Sequence, residues 1–228
     1  MRYFFLLAVA LVTCATCACS RSHETAEESR PTRVEAAPPP VVANDSRKVI
    51  VVFGDSISAG FGLAEGQSFP DDLQKDLDAE KLPWHVVNLG ISGDTTEGGV
   101  SRIDSATSLH PAIVIVELGG NDGLRGMPVP ATRANLEQMI VAFQGAGAKV
   151  VLAGMTLPPN YGPDYIRDFQ KVYKDLAAKY KLAFIPFIMQ DIITPDLRYI
   201  QHDGIHPTAA GSEIIAQTVL KAIRPLLK

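Results

Sequence analysis

The sequence predicts an α/β fold, a parallel β-sheet with helices packed on both faces. Two apolar runs and one pattern carry that reading. Val49 to Phe53 is apolar throughout, and Ala112 to Leu118 is apolar except for Glu117. Uninterrupted runs rich in Val and Ile suit strands buried on both faces, because a strand with one wet face alternates. Strand and helix patterns then alternate along the chain without hairpin signals. That requires crossover connections, and therefore a parallel sheet.

Each element follows in order. The first strand, Lys48 to Phe53, stops at Gly54-Asp55-Ser56. Glycine lets the backbone turn sharply off the strand end and leaves Ser56 at the sheet's carboxyl edge, where open α/β sheets bind ligands. Ser68-Phe69-Pro70 opens a helix running to about Glu80, with Leu73 and Leu77 four apart. Trp84 to Leu89 is a second strand, Gly90 to Gly93 a loop, and the next helix carries Val100 and Ile103. The third strand, Ala112 to Leu118, ends at Gly119-Gly120-Asn121-Asp122-Gly123. A helix from Thr132 to Gln144 aligns Leu136, Ile140 and Phe143, and Lys149 to Met155 is the fourth strand. The helix from about Asp164 to Tyr180 repeats apolar residues at Ile166, Phe169, Val172, Tyr173 and Leu176. A short strand, Ala183 to Ile185, precedes a loop to His206, and a helix from Pro207 to about Ile223 closes the chain. No internal repeat is present.

The 228 residues fit one domain, residues 47–228, behind two other segments. With 21 basic and 25 acidic residues and no Lys/Arg cluster, no nucleic-acid partner is expected. No apolar run is long enough for an internal membrane span. Arg2 followed by apolar Tyr3 to Val12 and then small residues reads as an export signal over residues 1–19. All three cysteines, Cys14, Cys17 and Cys19, fall in it, so the folded domain has no disulfide available. Thr16-Cys17-Ala18-Cys19-Ser20 resembles a bacterial lipoprotein cleavage site, with lipid on Cys19; ordinary secretion is the alternative. Residues 20–46 are polar and then Ala/Pro-rich, including Pro38-Pro39-Pro40, and read as a linker. The expected location is exported, either periplasmic or held to a membrane as a lipoprotein.

Polar residues gather at four strand ends or strand-to-helix loops: Ser56, Ile91-Ser92-Gly93-Asp94, Asn121, and Asp203-Gly204-Ile205-His206. Strand ends of a doubly wound sheet open on one edge, so these residues can share a cleft. Asp203 lies three before His206, with Pro207 starting the helix and His206 at about its cap. A carboxylate there can hold Nδ1–H and leave Nε2 free to take a proton from a serine. The Ser56 and Gly93 N–H groups and the Asn121 amide could supply three donors to an oxyanion. Bland roles compete at this point: Asp55 and Ser56 also read as a turn and helix cap, Gly93 and Asn121 as turn formers, Asp203 and His206 as a solvated cap. His202 and His206 have a metal-ligand spacing, but Gly204 between them and Pro207 after them break a helix, and no third ligand is near. No metal or cofactor is expected. His85, His110 and Trp84 read as surface or packing residues, and Glu117 as a structural carboxylate near the site.

Taken together, the blocks resemble the SGNH, or GDSL, hydrolases: Gly54-Asp55-Ser56-Ile57-Ser58 with Ile57 in place of leucine, Gly93, Gly119-Gly120-Asn121-Asp122, and Asp203-Gly204-Ile205-His206-Pro207. Val116 to Gly126 and Leu157-Pro158-Pro159-Asn160-Tyr161-Gly162 resemble the bacterial arylesterase, thioesterase I and lysophospholipase branch. The resemblance implies a three-layer α/β/α domain with a five-stranded parallel sheet in flavodoxin-like order. It also implies Ser56 as nucleophile, His206 as base, Asp203 as its partner, and Ser56, Gly93 and Asn121 as oxyanion hole. The lipoprotein-like front end departs from the best-known branch members, which are soluble periplasmic enzymes. Leu124, Met127, Leu157, Pro158, Tyr161, Ile192, Ile193 and Ile205 lie in loops near strand ends and are expected to give the substrate site an apolar lining. Substrates are expected to be aryl esters, short to medium acyl esters, thioesters or lysophospholipids. The alternatives are a carbohydrate O-acetyl esterase on the same scaffold and a phosphate- or nucleotide-binding module. The last lacks any Walker or G-x-G-x-x-G pattern after a strand.

Overall fold

The computed structural model describes residues 46–228. The export-signal segment, Cys19 and all but the last residue of the expected linker lie outside the described residues. Five parallel strands form one sheet in the order β2-β1-β3-β4-β5: β1 (Lys48–Gly54), β2 (Trp84–Asn88), β3 (Ile113–Glu117), β4 (Lys149–Ala153) and β5 (Ala183–Ile185). This is the flavodoxin-like order. The central strands have no wet face: Ile50 to Phe53 and Ile113 to Val116 are fully buried, which is why their sequences do not alternate. Val51 sits opposite Val87 on one side and Val114 on the other.

The helices are α1 (Ser56–Ala59), α2 (Phe69–Ala79), α3 (Thr96–Ser101), α4 (Ile103–Thr107), α5 (Gly120–Leu124), α6 (Val129–Gly145), α7 (Pro163–Tyr180) and α8 (Ala209–Ile223). α2 packs on α8, and α6 packs on α3, α4 and α7, giving the two outer layers. The chain steps one way from β1 to β2 and the other way from β2 to β3. Right-handed crossovers therefore place the two sets of helices on opposite faces, and a crevice opens beyond the carboxyl ends of β1 and β3. Ser56 and Asn121 stand at those two ends.

Three elements differ from the sequence pattern. The expected helix over Val100 and Ile103 is two, broken at Arg102, whose backbone leaves the helical region (φ −124°, ψ 20°). The Arg102 side chain is drawn inward to carbonyls at the ends of β1 and β2, and it stacks 4.0 Å over the Phe53 ring. The last helix starts at Ala209 rather than Pro207. Thr208 caps it, accepting from Gly211 N at 3.2 Å, while Pro207 pairs with Ile200 in an isolated antiparallel bridge. Helix α6 starts earlier than its apolar stripe because Pro130 suits a first turn, where no N–H is needed. Trp84 is buried at the edge of the core with Lys48 over its ring, and the half-buried His85 bonds Arg47 through Nδ1.

Candidate active site

Ser56 is the first residue of α1. Asp55 caps that helix, its Oδ1 accepting from Ile57 N at 3.1 Å. The turn needs glycine at position 54: a Cβ there would meet Ser58 Oγ at 2.1 Å and Glu117 Oε2 at 2.4 Å. The helix cap role read for Asp55 is thus present, and it aims the neighbouring serine into the crevice.

His206 arrives from a loop 150 residues away, and its Nε2 lies 2.8 Å from Ser56 Oγ. Its Nδ1 lies 2.7 Å from Asp203 Oδ2. An ionised carboxylate only accepts, so Nδ1 carries the hydrogen and Nε2 is left as acceptor for the serine hydroxyl. Asp203 Oδ1 accepts the backbone N–H groups of Ile205 (2.9 Å) and His206 (3.0 Å), so the three-residue spacing makes a self-capped loop with one oxygen left for the ring. Desolvation works against the charge on Asp203, but the hydrogen bonds from the His206 ring and these two N–H groups outweigh it and bring the carboxyl down to about 2. Gln201 holds the whole loop, donating to Phe61 O (2.7 Å) and Pro207 O (2.8 Å), and the Phe61 ring rests 4.6 Å from the His206 ring.

Gly93 takes φ +79°, and its carbonyl accepts from Arg125 at 2.9 Å. Among the described residues, neither the Gly93 nor the Ser56 N–H donates to a protein acceptor. Asn121 Nδ2 donates to Asp94 O at 2.9 Å and, over a longer 3.3 Å, to Asp55 Oδ2. Half-buried Arg102 ties these loops together, donating to Asp94 Oδ2 (2.7 Å), Leu89 O (2.7 Å) and Gly54 O (2.9 Å). Glu117 is fully buried beneath Ser56. Its Oε2 accepts from Ser58 Oγ (2.5 Å), Ser58 N (3.2 Å) and Asp55 N (3.3 Å). His202 is exposed, and no group of three or more His, Cys, Asp or Glu suited to a metal occurs among the described residues.

A cavity of about 400 Å³ opens beside Ser56 and His206. Of the residues expected to line it, Leu124, Leu157, Pro158, Ile193 and Ile205 do. Tyr161, Met127 and Ile192 do not. The Tyr161 hydroxyl donates to Leu124 O at 2.7 Å and so supports the wall from behind; Met127 O accepts from Tyr165; Ile192 is fully buried in the core. Met155, Thr156, Phe187 and Met189 complete the wall and were not singled out from the sequence. Their signal was position alone, since each follows the carboxyl end of β4 or β5.

Burial pushes the Asp55 carboxyl up to about 6, against the pull of its bonds to Ile57 N and Glu117 and of the nearby His206. Burial, followed by the charge of Asp55, raises Glu117 well above the usual carboxylate range. Between the ordinary value of 3.8 and about 6, native Asp55 therefore holds more proton than the unfolded chain does. Stability contributed by this group is present below that window and lost as pH rises through it. The melting temperature of wild type should fall relative to that of Asp55→Asn between about pH 4 and pH 6. A flat or rising difference across that window would contradict the assignment.

A family model described as GDSL-like lipase/acylhydrolase matches residues 52–214, which takes in every loop described above. This chain belongs to that family. It is 43% identical over 181 residues to "Esterase TesA" of Pseudomonas aeruginosa, covering 79% of this chain and 90% of the relative. It is 35% identical over 179 residues to "Thioesterase 1/protease 1/lysophospholipase L1" of Escherichia coli K12, covering 78% of this chain and 84% of the relative. The solved structure of TesA superposes with a TM-score of 0.75 at 42% identity, covering 78% of this chain and 99% of that one. The esterase EstA from Pseudoalteromonas, solved inhibited by monoethylphosphonate, superposes with a TM-score of 0.74 at 32% identity, covering 79% and 98%. Fold and family thus agree with the resemblance read from the four sequence blocks.

Proposed function

We propose that this protein is a serine esterase that cleaves aryl, short to medium acyl and thioester substrates, lysophospholipids among them, through an acyl-enzyme on Ser56. The observation that carries the reading is the unbroken chain Ser56 Oγ to His206 Nε2 to Asp203, opening on a largely apolar cavity. Ser56 Oγ attacks the carbonyl carbon as His206 takes its proton. The carbonyl oxygen becomes an oxyanion, received by the Ser56 and Gly93 N–H groups and the Asn121 amide. Collapse expels the alcohol, phenol or thiol, which takes the proton back from His206. A water deprotonated by the same imidazole then releases the acid. Asp203 stays ionised throughout and steadies the imidazolium. None of these steps requires a metal or cofactor.

The wall of Leu124, Leu157, Pro158, Met155, Ile193 and Ile205 favours an acyl chain over a sugar ring, whose hydroxyls would be left without partners. The names of the relatives support the same substrate classes. A panel of nitrophenyl esters, acyl-thioesters, lysophospholipids and acetylated sugars tests it. Turnover should be highest on butyrate to hexanoate aryl esters, with thioesters and lysophospholipids also cleaved. Preference for acetylated sugars, with nitrophenyl hexanoate left intact, would replace this reading by the carbohydrate esterase.

Export and lipid attachment at Cys19 are the proposed route to location, supported by the Arg2-to-Val12 segment and the Ala18-Cys19-Ser20 site. Labelled fatty acid should enter the mature protein, and Cys19→Ser should move it to the soluble fraction. Wild-type protein that is soluble and carries no label would leave plain secretion.

A further inference from the structure

The mechanism above uses neither of two buried carboxyls that lie directly behind the nucleophile. Asp55 is 2% exposed and Glu117 fully buried, and the two are neighbours, the Asp55 backbone N–H donating to Glu117 Oε2 at 3.3 Å. Glu117 Oε2 already accepts three bonds, from Asp55 N, Ser58 N and Ser58 Oγ, whereas its Oε1 accepts none from any described residue. An ionised oxygen left bare in the core is costly, and two neighbouring buried carboxylates both ionised are costlier still. A proton on Glu117 removes both costs by turning it into a donor whose acceptor is Asp55.

Asp55 has a second polar neighbour, the Asn121 amide. The two ends of an asparagine amide have nearly the same shape, so packing alone does not decide which faces a neighbour. Here both partners of Nδ2, Asp94 O and Asp55 Oδ2, are acceptors, and only the nitrogen end can satisfy them. If Asp55 presented a donor instead, one of the two demands on the nitrogen end would be reversed against the remaining pull of Asp94 O, and the amide would spend part of its time turned, with Oδ1 toward the wall it shares with Ser56. An acceptor facing a developing oxyanion would repel it. At 3.3 Å the Asp55 contact is long enough for that N–H to be shared with an oxyanion as it forms.

We infer that Glu117 holds a proton and donates it in a hydrogen bond to Asp55, and that Asp55, fixed in this way, sets the Asn121 amide with its N–H toward the substrate: Asp55 and Glu117 are positioning residues for the oxyanion donor. The relay rests on the serine-esterase reading and deepens it. No proton is transferred along it during turnover. The charged groups facing it are His206, Asp94 and Arg102, and the Arg102 guanidinium offsets the negative charge that Asp55 leaves near the oxyanion site.

A double-mutant cycle on the mature enzyme, with nitrophenyl butyrate as substrate, tests the relay. Asn121→Ala should lower kcat by about 100- to 1000-fold with little change in KM. Asp55→Asn keeps an oxygen to cap Ile57 N but no longer demands the nitrogen end of Asn121. It should lower kcat about 10- to 100-fold, again with KM nearly unchanged, as a partial loss of the same donor. Because both act through one amide, the double variant should be within about twofold of Asn121→Ala alone. Glu117→Gln retains a donor toward Asp55 and should recover most of the rate lost in Glu117→Leu. If the losses at positions 55 and 121 multiply, or if glutamine at 117 is as poor as leucine, the relay is wrong. Should Glu117→Leu fail to fold, the cycle decides alone. Ser56→Ala measured alongside separates the two levels: activity in that variant would remove the serine reading itself, whereas a dead Ser56→Ala with a multiplicative cycle removes only the relay.

Discussion

Ser56→Ala should lose on the order of 10⁵- to 10⁶-fold in kcat, the scale reached when a catalytic serine is removed from a triad that works as a unit. The alanine methyl offers nothing to His206 Nε2, which in wild type is 2.8 Å from the hydroxyl. The fold should survive, because among the described residues Ser56 Oγ's one partner is that imidazole, and its backbone sits in the first turn of α1. Residual turnover would come from the oxyanion donors and the cavity acting on a bound ester. A fluorophosphonate probe should label wild type and leave the variant unlabelled. Retained activity above about a hundredth of wild type would end the acyl-enzyme mechanism, since no other hydroxyl among the described residues is placed on His206.

Asp203→Asn should cost about 10⁴-fold in kcat. The reason lies in how the loop fixes the side chain. Two backbone N–H groups, from Ile205 and His206, both point at Oδ1. An asparagine must therefore keep its oxygen there, which forces its NH₂ into the place of Oδ2, 2.7 Å from Nδ1 of the ring. Two donors cannot face each other, so the imidazole adopts the other tautomer. Nδ1 becomes the acceptor and Nε2 carries the hydrogen, where it can no longer take a proton from Ser56. The native contribution of Asp203 to stability is present above its ordinary value of 3.8 and is lost as pH falls through about 2, so at working pH the carboxylate is fully charged. KM for nitrophenyl butyrate should change little, because the cavity wall does not include Asp203. A loss below tenfold would mean that water at this partly exposed carboxylate can take over its part.

Much of the molecule could be read without coordinates because it depends on short-range pattern. Burial on both faces shows as unbroken apolar runs, so β1 and β3 were legible, and helix stripes gave α2, α7 and most of α8. The Asp203–His206 geometry is local too: three residues of loop suffice to bring a carboxylate to its imidazole. What periodicity missed were elements governed by a partner far away. The helix expected around Val100 is broken because Arg102 reaches carbonyls of β1 and β2, and Pro207 leaves the last helix for a bridge to Ile200.

By itself the sequence determined the sheet, the family and the four blocks at its strand ends, since each is encoded in residues adjacent in the chain. Only the tertiary structure decided the cavity and the setting of Ser56. Met155, Phe187 and Met189 become a wall, and Tyr161 a support behind it, through the way separate strand ends converge. Asp55 and Glu117, 62 residues apart, are brought together because the β1–β3 register puts Gly54 opposite Glu117 and the missing Cβ lets the carboxyl in beneath Ser56. Burial and approach are properties of the whole fold, and the pattern along any one segment does not contain them.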